Sequence, residues 1–153
     1  DPNVEEQELT IKERNVMTVK ANMNNDILVK NGKMNRVIDL SELKDIAKEF
    51  ISNPNDDVNL PAIEPYDIEG YGTVNTTIKH VIALDTDLGA NYEVYFKVQH
   101  ELSKAYTEVR DAWARRNLGK PLSECDPKTE EPIARAVYAS KISETNPKEY
   151  GTE

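Results

Sequence analysis

The sequence predicts a single domain of the α/β class, in the α+β arrangement of separate strands and helices. Apolar residues alternate with polar ones over residues 17–23, which is the pattern of a half-buried strand. Residues 39–52 and 92–118 instead carry apolar residues at three- and four-residue steps, as in helices that pack on a sheet. Between these helices, residues 81–84 form a short apolar run that is typical of a buried strand.

Length and composition fit one compact domain. The chain has 153 residues, of which 38% are hydrophobic and 31% are charged, and one hydrophobic core is feasible at this size. We place the domain at residues 15–145, between an acidic linker at 1–14 and a polar tail at 146–153. The chain begins without Met in an acidic stretch, so we expect it to be a piece of a longer protein.

The net charge of −9 excludes some classes of partner. Nucleic-acid binding requires clustered Lys and Arg side chains, and adsorption to an anionic membrane surface requires the same excess of positive charge. We therefore expect neither partner, and we interpret the acidity mainly as a source of solubility. A helix that spans the membrane would require an apolar run of about 20 residues, which this sequence lacks.

The first third of the domain predicts a three-stranded meander followed by a helix. Asn31-Gly32 predicts a tight hairpin turn, because both residues favour positive φ, and the third strand ends near Val37. Asp39 and Glu42 form a capping box at the start of the helix. The apolar stripe of this helix comprises Leu40, Leu43, Ile46, Ala47 and Phe50.

Residues 52–77 predict an irregular loop insertion. Pro and Gly residues, including those of Asn53-Pro54 and Gly70-Tyr71-Gly72, interrupt any helical or strand period. So long an irregular connection is unusual inside a compact domain, and such segments are usually functional loops or mobile insertions.

The second half predicts a strand, a long helix, a short helix and a last strand. We expect an acidic turn after the buried strand, in which Asp85 and Asp87 cap the long helix that opens at Tyr92. Gly119 marks the end of that helix. The short helix follows Asp126-Pro127, with Pro132 leaving its first residue undecided, and residues 141–144 form the last strand.

No group of residues in the sequence indicates catalysis, a metal or a cofactor. His80 and His100 have no Cys, His or carboxylate at the spacing of metal ligands. Cys125 has no basic neighbour that would lower its thiol pKa. We therefore expect a non-enzymatic binding or assembly module without a catalytic residue, metal ion or cofactor.

The order of elements resembles a known family. The residues that carry the resemblance are the Asn31-Gly32 hairpin, a helix opening at residues 39–43, a strand that ends at residues 84–87, and Tyr92 at the start of an amphipathic helix. This order is similar to the periplasmic domain of the ExbD/TolR biopolymer-transport proteins. Residues 50–57 and 99–110 look closest to the long ExbD proteins of Bacteroidota, which carry a loop insertion and an extra C-terminal helical segment.

The resemblance implies a fold and a function. The implied fold is a small mixed β-sheet with two main helices on one face, a loop insertion at residues 52–77 and an extra C-terminal helix. The implied function is that of a non-enzymatic periplasmic subunit of a proton-driven ExbB–ExbD-type inner-membrane motor, which energises TonB-dependent outer-membrane transport. The implied partners are an ExbB-like channel subunit, a TonB-like protein and a second copy of the domain. In the family a membrane helix with a proton-handling aspartate precedes this domain, and no residue here corresponds to that aspartate.

We expect partners to bind by adding a strand to an exposed edge of the sheet. The candidate edge residues are Met17, Val19 and Ala21 in the first strand and Ile142 in the last strand. Two alternatives remain open. One is a TolR-like envelope module that binds peptidoglycan, and the other is a soluble periplasmic domain that binds a small molecule between residues 52–77 and the long helix.

Overall fold

The computed structural model describes residues 13–22, 24–86 and 92–145, and these form an α+β domain with two sheets. A short 3-10 helix at Leu122–Glu124 joins the second and third α-helices. The elements in chain order are β1 (Val16–Ala21), β2 (Ile27–Lys30), β3 (Asn35–Ile38), α1 (Leu40–Ser52), β4 (Glu64–Ile68), β5 (Gly72–Thr76), β6 (Val81–Thr86), α2 (Tyr92–Asn117), α3 (Glu131–Val137) and β7 (Ile142–Thr145).

The main sheet has five strands in the order β3-β2-β1-β6-β7. The first three strands form the predicted antiparallel meander, in which Val19 is opposite Val29. On its other side β1 pairs with β6 in parallel, so that Val19 is also beside Leu84. β7 continues the sheet in parallel with β6. The sheet is therefore mixed, as the sequence predicts.

One face of this sheet carries the core. Met17, Val19 and Ala21 alternate with half-exposed residues along β1 and are almost completely buried. The packed pair α1 and α2 covers this face, with Phe50 and Leu102 among the buried side chains. Full burial of one such aliphatic side chain contributes about 2 kcal/mol. The two main helices thus lie on one face of the sheet, while the opposite face exposes Val16, Leu28 and Val37.

α1 begins and ends where its sequence predicts. The backbone N–H of Asp39 donates to the Glu42 carboxylate at 2.9 Å, which forms half of the capping box. The helix ends at Asn53, which adopts the left-handed conformation with φ 40°. The buried side chain of Asn53 then accepts a bond from Asp57 N at 2.8 Å and donates to the Pro61 carbonyl at 2.8 Å. One residue therefore ends the helix and orders the connection that follows.

The prediction of an irregular loop at residues 52–77 is wrong. This segment contains the two-stranded sheet of β4 and β5, and Leu60, Ile68 and Val74 are buried in the common core. Pro65 is compatible with β4 because β5 is its only partner among the described strands, so the other side of its backbone needs no N–H donor. Gly70, with φ 83°, supplies the reversal between the strands.

The turn at Asn31-Gly32 also differs from the prediction, because neither residue has positive φ. The turn spans four residues, and the Asn31 carboxamide accepts bonds from the backbone N–H groups of Lys33 and Met34 at 2.7 and 3.1 Å. Gly32 is required for a different reason. A Cβ atom at this position would lie 1.9 Å from the carbonyl oxygen of Asn59, so glycine allows the connection after α1 to approach the meander.

α2 starts at Tyr92 as predicted, and Gly119 beyond its last residue has φ 74°. Asp85 is not part of a capping turn, because β6 extends through Thr86 and places Asp85 within the sheet between Lys20 and Thr145. Asp87 lies outside the described residues. α3 begins at Glu131 with Pro132 in its first turn, where proline needs no N–H partner. No helix among the described residues has the length and apolar character needed to cross a bilayer.

Candidate docking site at the free edge of the sheet

The first strand is not an edge, which corrects the assignment of Met17, Val19 and Ala21. β1 pairs with β2 on one side and with β6 on the other, so its backbone groups are already used in the sheet. The side chains of the three residues are also buried beneath the helices. The alternating pattern correctly predicts one buried face, but it holds equally for an interior strand of a sheet with one open face. β1 therefore cannot accept a partner strand.

Ile142 does lie in an edge strand. Ile82 N donates to the Lys141 carbonyl at 2.9 Å, so Lys141 faces β6. Successive residues of a strand direct their backbone groups to opposite sides, and the N–H and C=O groups of Ile142 and Glu144 therefore point away from β6. No other described strand pairs with them. The edge placement of Ile142 is confirmed, and its role in binding a partner stays a prediction.

The opposite edge of the sheet, β3, is less open. Its outward carbonyl at Val37 accepts a bond from the Arg36 guanidinium at 3.4 Å. Arg36 also pairs with Glu42 at 3.1 Å. Charged side chains held over a strand edge discourage pairing with another chain. β7 is therefore the better candidate for strand addition.

A groove with a volume of about 420 Å³ runs between β7 and α2. Ile142 and Tyr106 form its apolar part, while charged and hydroxyl side chains form its walls. Gln99 in the first half of α2 contacts Glu144, and Arg110 in its second half contacts Tyr138 before β7, so the helix and the strand run in opposite directions. The lining residues are Gln99, Ser103, Tyr106, Arg110, Ser140, Ile142 and Glu144.

The end of the groove near Glu144 carries a polar contact between helix and strand. The Gln99 side chain donates to the Glu144 carboxylate and also to the Tyr95 hydroxyl, the latter at 3.0 Å. Burial, together with the Glu144 carboxylate, raises the pKa of the Tyr95 hydroxyl. Tyr95 is thus a neutral hydrogen-bonding group that helps to fix β7 against α2.

Beyond Glu144 lies an aromatic patch formed by Tyr92, Tyr95 and Phe96. Tyr92 is 78% exposed and Phe96 is 62% exposed, and their ring centroids are 6.3 Å apart. Tyr95 packs edge-on against Phe96 at 5.8 Å. Exposed aromatic side chains next to an open strand edge are typical of surfaces that bind other proteins.

The other end of the groove carries a cation. Arg110 donates from Nε to the Tyr138 carbonyl at 2.9 Å, and its guanidinium lies 5.3 Å from the centroid of the Tyr106 ring. Burial lowers the pKa of Arg110, although the group stays charged at neutral pH. No carboxylate of the described residues forms an ion pair with Arg110.

A buried polar network supports this end of β7. His80 Nδ1 is 2.7 Å from the Thr77 carbonyl, and Nε2 is 2.7 Å from the Tyr106 hydroxyl. The backbone N–H of Lys141 donates to the same hydroxyl at 3.1 Å. Burial lowers the pKa of His80 to about 4, so the imidazole is neutral near pH 7. His80 is therefore a hydrogen-bonded core residue that holds the beginning of β7.

Two observations bear on metal and nucleophile chemistry in the described part of the chain. Within it, no three His, Cys, Asp or Glu residues cluster as they would around a metal ion. Cys125 is buried, and burial raises the pKa of its thiol. A depression of about 370 Å³ lies between α1 and α2, beside Ser52 and Pro54. Its walls include Asp45, Lys48, Glu49, Glu108 and Arg116, a more charged lining than small-molecule pockets usually have.

Comparison with known proteins gives no relative: no family model, curated protein or solved structure matches this chain.

Proposed function

We propose that this chain is a non-enzymatic docking module, the periplasmic part of an ExbD-like subunit. In this proposal it couples a proton-driven ExbB–ExbD-type inner-membrane motor to TonB-dependent outer-membrane transport. The observation that carries the proposal is the outer edge of β7, with which no other described strand pairs, beside the groove on α2. An unpaired edge with an adjacent groove can bind an extended segment of another protein through backbone hydrogen bonds.

The arrangement of elements also supports the family proposal. The meander, the capped helix α1, strand β6 and the amphipathic helix α2 occur in the order on which the resemblance to ExbD/TolR proteins is based. Two main helices on one face of a mixed sheet agree with the fold that the resemblance implies. The partners in this proposal are an ExbB-like channel subunit, a TonB-like protein and a second copy of the domain.

The size of the edge indicates weak, reversible binding. Ile142 and Glu144 offer two N–H and two C=O groups, and each added hydrogen bond contributes about 1 kcal/mol net. Four such bonds correspond to a Kd on the order of 1 mM before the entropy cost of association. The aromatic patch must therefore contribute to any useful affinity. Reversible contact of this strength suits a subunit that transmits repeated motion.

The exposed pair of Tyr92 and Phe96 supports one alternative, a TolR-like module that binds peptidoglycan. Flat aromatic faces can stack on the sugar rings of the cell wall as well as on a partner protein. Co-sedimentation with purified cell-wall sacculi separates these functions. Sedimentation that is lost in a Tyr92→Ser, Phe96→Ser variant would favour the TolR-like function.

The first experiment is to determine the coding sequence upstream of Asp1 and to express the whole protein with candidate ExbB-like and TonB-like proteins from the same organism. We expect one apolar segment of about 20 residues containing an aspartate, with basic residues before it. We also expect co-purification with both partners in detergent. A cleavable signal peptide with no anchor, or failure to associate with either partner, would contradict the motor-subunit function.

A further inference from the structure

We infer that the β7 edge selects its peptide by charge. The peptide carries an acidic side chain opposite Arg110, a basic side chain four residues away opposite Glu144, and an apolar side chain between them over Ile142. This inference rests on the proposed function and deepens it, because it specifies the chemistry of the docked segment. The occupant is an extended segment of a partner protein.

The uncompensated charge of Arg110 is the first argument. Two other arginines in this part of the chain have acidic partners: Arg115 pairs with Asp111 at 2.9 Å, and Arg135 pairs with Glu131 at 2.7 Å. Arg110 is half-buried against Tyr106, and the only bond from its side chain to a described residue goes to the Tyr138 carbonyl. A partly buried charge without a counter-ion is unfavourable. An anionic group that enters the groove therefore gains more binding free energy from Arg110 than it would from an exposed Arg.

Glu144 supplies a negative charge at the other end of the groove. Glu144 is exposed, and its carboxylate accepts a bond from the neutral side chain of Gln99. No Lys or Arg among the described residues forms an ion pair with it. The groove therefore has a positive end and a negative end, and neither charge is neutralised within the described part of the domain.

The distance between the two charged ends of the groove matches the repeat of an extended peptide. Arg110 reaches the backbone at Tyr138 and lines the groove beside Ser140. From Ser140 to Glu144 is four residues, or about 13 Å in an extended strand. Side chains on one face of a docked strand recur every second residue. A peptide with an acidic residue at position i therefore faces Arg110 with that residue. Its apolar residue at i+2 then lies over Ile142, and its basic residue at i+4 faces Glu144.

The same geometry favours a peptide over other ligands. A free anion could neutralise Arg110, but it would leave Glu144 unpaired and the outward backbone groups unused. An anionic membrane surface would be repelled by Glu144 and by the net charge of −9. An extended segment with both charges can pair with Arg110, with Glu144 and with the outward backbone groups of β7 at the same time. It can also reach the aromatic patch.

The test uses the isolated chain and capped heptapeptides with fixed strand-forming residues. The mixed-charge probe is Thr-Glu-Thr-Val-Thr-Lys-Thr, and its controls replace the Glu and Lys pair with two Gln, two Glu or two Lys residues. Binding is followed by NMR through the amide shifts of Ile142 and Glu144. We expect the mixed-charge probe to bind about tenfold more tightly than the two-Gln probe, with both like-charge probes weaker than the mixed-charge one.

Variants then assign the charges. Arg110→Glu should remove the higher affinity of the mixed-charge probe over the two-Gln probe, and it should bind the two-Lys probe more tightly than wild type does. Arg110→Lys should keep the wild-type ranking of the four probe affinities. Arg116→Glu is the matched control, because it makes the same charge change on α2 outside the groove, and it should also keep the wild-type order. The dispersion of the NMR spectrum shows whether each variant is folded.

The possible failures are distinct. Equal binding of all four probes at β7 would overturn the charge pattern and leave the docking function intact. If no probe changes the amide shifts of Ile142 or Glu144, both the charge pattern and the docking function are overturned. Displacement of the mixed-charge probe by an equal concentration of inorganic phosphate would show a simple anion site. Concentration-dependent dimerisation that excludes the probe and disappears in Arg110→Glu would show that a second copy occupies the groove. Either of these last two results would overturn the inference.

Discussion

The Nε2 atom of His80 lies 2.7 Å from the hydroxyl oxygen of Tyr106, and both side chains are almost fully buried. Because Nδ1 faces the Thr77 carbonyl, its proton is donated there and Nε2 accepts the proton of the Tyr106 hydroxyl. The hydroxyl oxygen in turn accepts the backbone N–H of Lys141. The contact therefore connects the turn before β6, helix α2 and the start of the edge strand β7.

Acidification should destabilise the domain through His80. Its pKa falls from 6.5 to about 4 on folding, because burial disfavours the imidazolium. The unfolded chain therefore binds the proton first, and stability is lost as the pH falls from 6.5 to 4. The loss approaches about 3 kcal/mol if this group acts alone. Urea unfolding at pH 7, 6, 5 and 4 measures it.

The control for this pH dependence uses the two histidines. His80→Gln should lower the stability at pH 7 and reduce the slope between pH 6.5 and 4. His100→Gln, at an exposed position of α2, is the control for replacing a histidine by glutamine. If wild type and His80→Gln show the same slope, His80 does not carry the effect. The charged and titratable groups near His80 are Tyr106 and Lys141, with Arg110 against the Tyr106 ring.

Removal of the Tyr106 hydroxyl should destabilise the domain at neutral pH. Tyr106→Phe leaves His80 Nε2 without a donor and Lys141 N–H without this acceptor. We expect a loss of at least about 2 kcal/mol in the free energy of unfolding, because two groups lose their partner and each buried unsatisfied group costs about 1–3 kcal/mol. Tyr92→Phe removes a hydroxyl from an exposed ring and should change stability by less than about 0.5 kcal/mol. Equal effects of the two changes would contradict the structural role of the network.

The helices could be predicted from the sequence because their determinants are local. Asp39 and Glu42 mark the start of α1, and Gly119 marks the end of α2. The hairpin of β4 and β5 was not predictable in the same way. Pro65 and Gly70 in this segment indicate a loop, whereas the burial of Ile68 and Val74 in the common core stabilises the two strands through tertiary contacts.

The order of the strands in the sheet could not be predicted from the sequence, because it also depends on contacts between distant segments. Alternation along β1 shows which side chains are buried, but it contains no information on whether the backbone has one neighbour or two. β1 is interior because β6, more than 60 residues later, pairs with it in parallel. Arg110 was missed as a site residue for the same reason, since its position beside β7 depends on packing between distant segments.

Gly32→Ala should destabilise the domain through a collision and not through an unfavourable φ. The added Cβ would lie 1.9 Å from Asn59 O, which is a backbone atom that cannot move without a shift of the chain. We expect a loss of about 1–3 kcal/mol, as for other overpacked sites. Gly70→Ala, which has φ 83° and open space around the position, should cost about 1 kcal/mol from conformation alone. Urea unfolding of both variants distinguishes the two causes, and a neutral Gly32→Ala would contradict the close approach.

The two strands that the sequence proposes as edges should respond differently to proline. Val81 N of β6 donates to the Asn15 carbonyl at 2.8 Å, so the backbone groups of Asn15 face β6. Val19 is four residues later, and its N–H therefore faces β6 as well. Val19→Pro should therefore cost about 3 kcal/mol or more, visible in urea unfolding. Glu144 N–H faces away from β6, so Glu144→Pro should keep the fold but lose co-purification with the TonB-like partner. Glu144→Gln, which keeps the N–H, should retain that association in weakened form. A folded Glu144→Pro variant that binds as well as Glu144→Gln would exclude strand addition at β7.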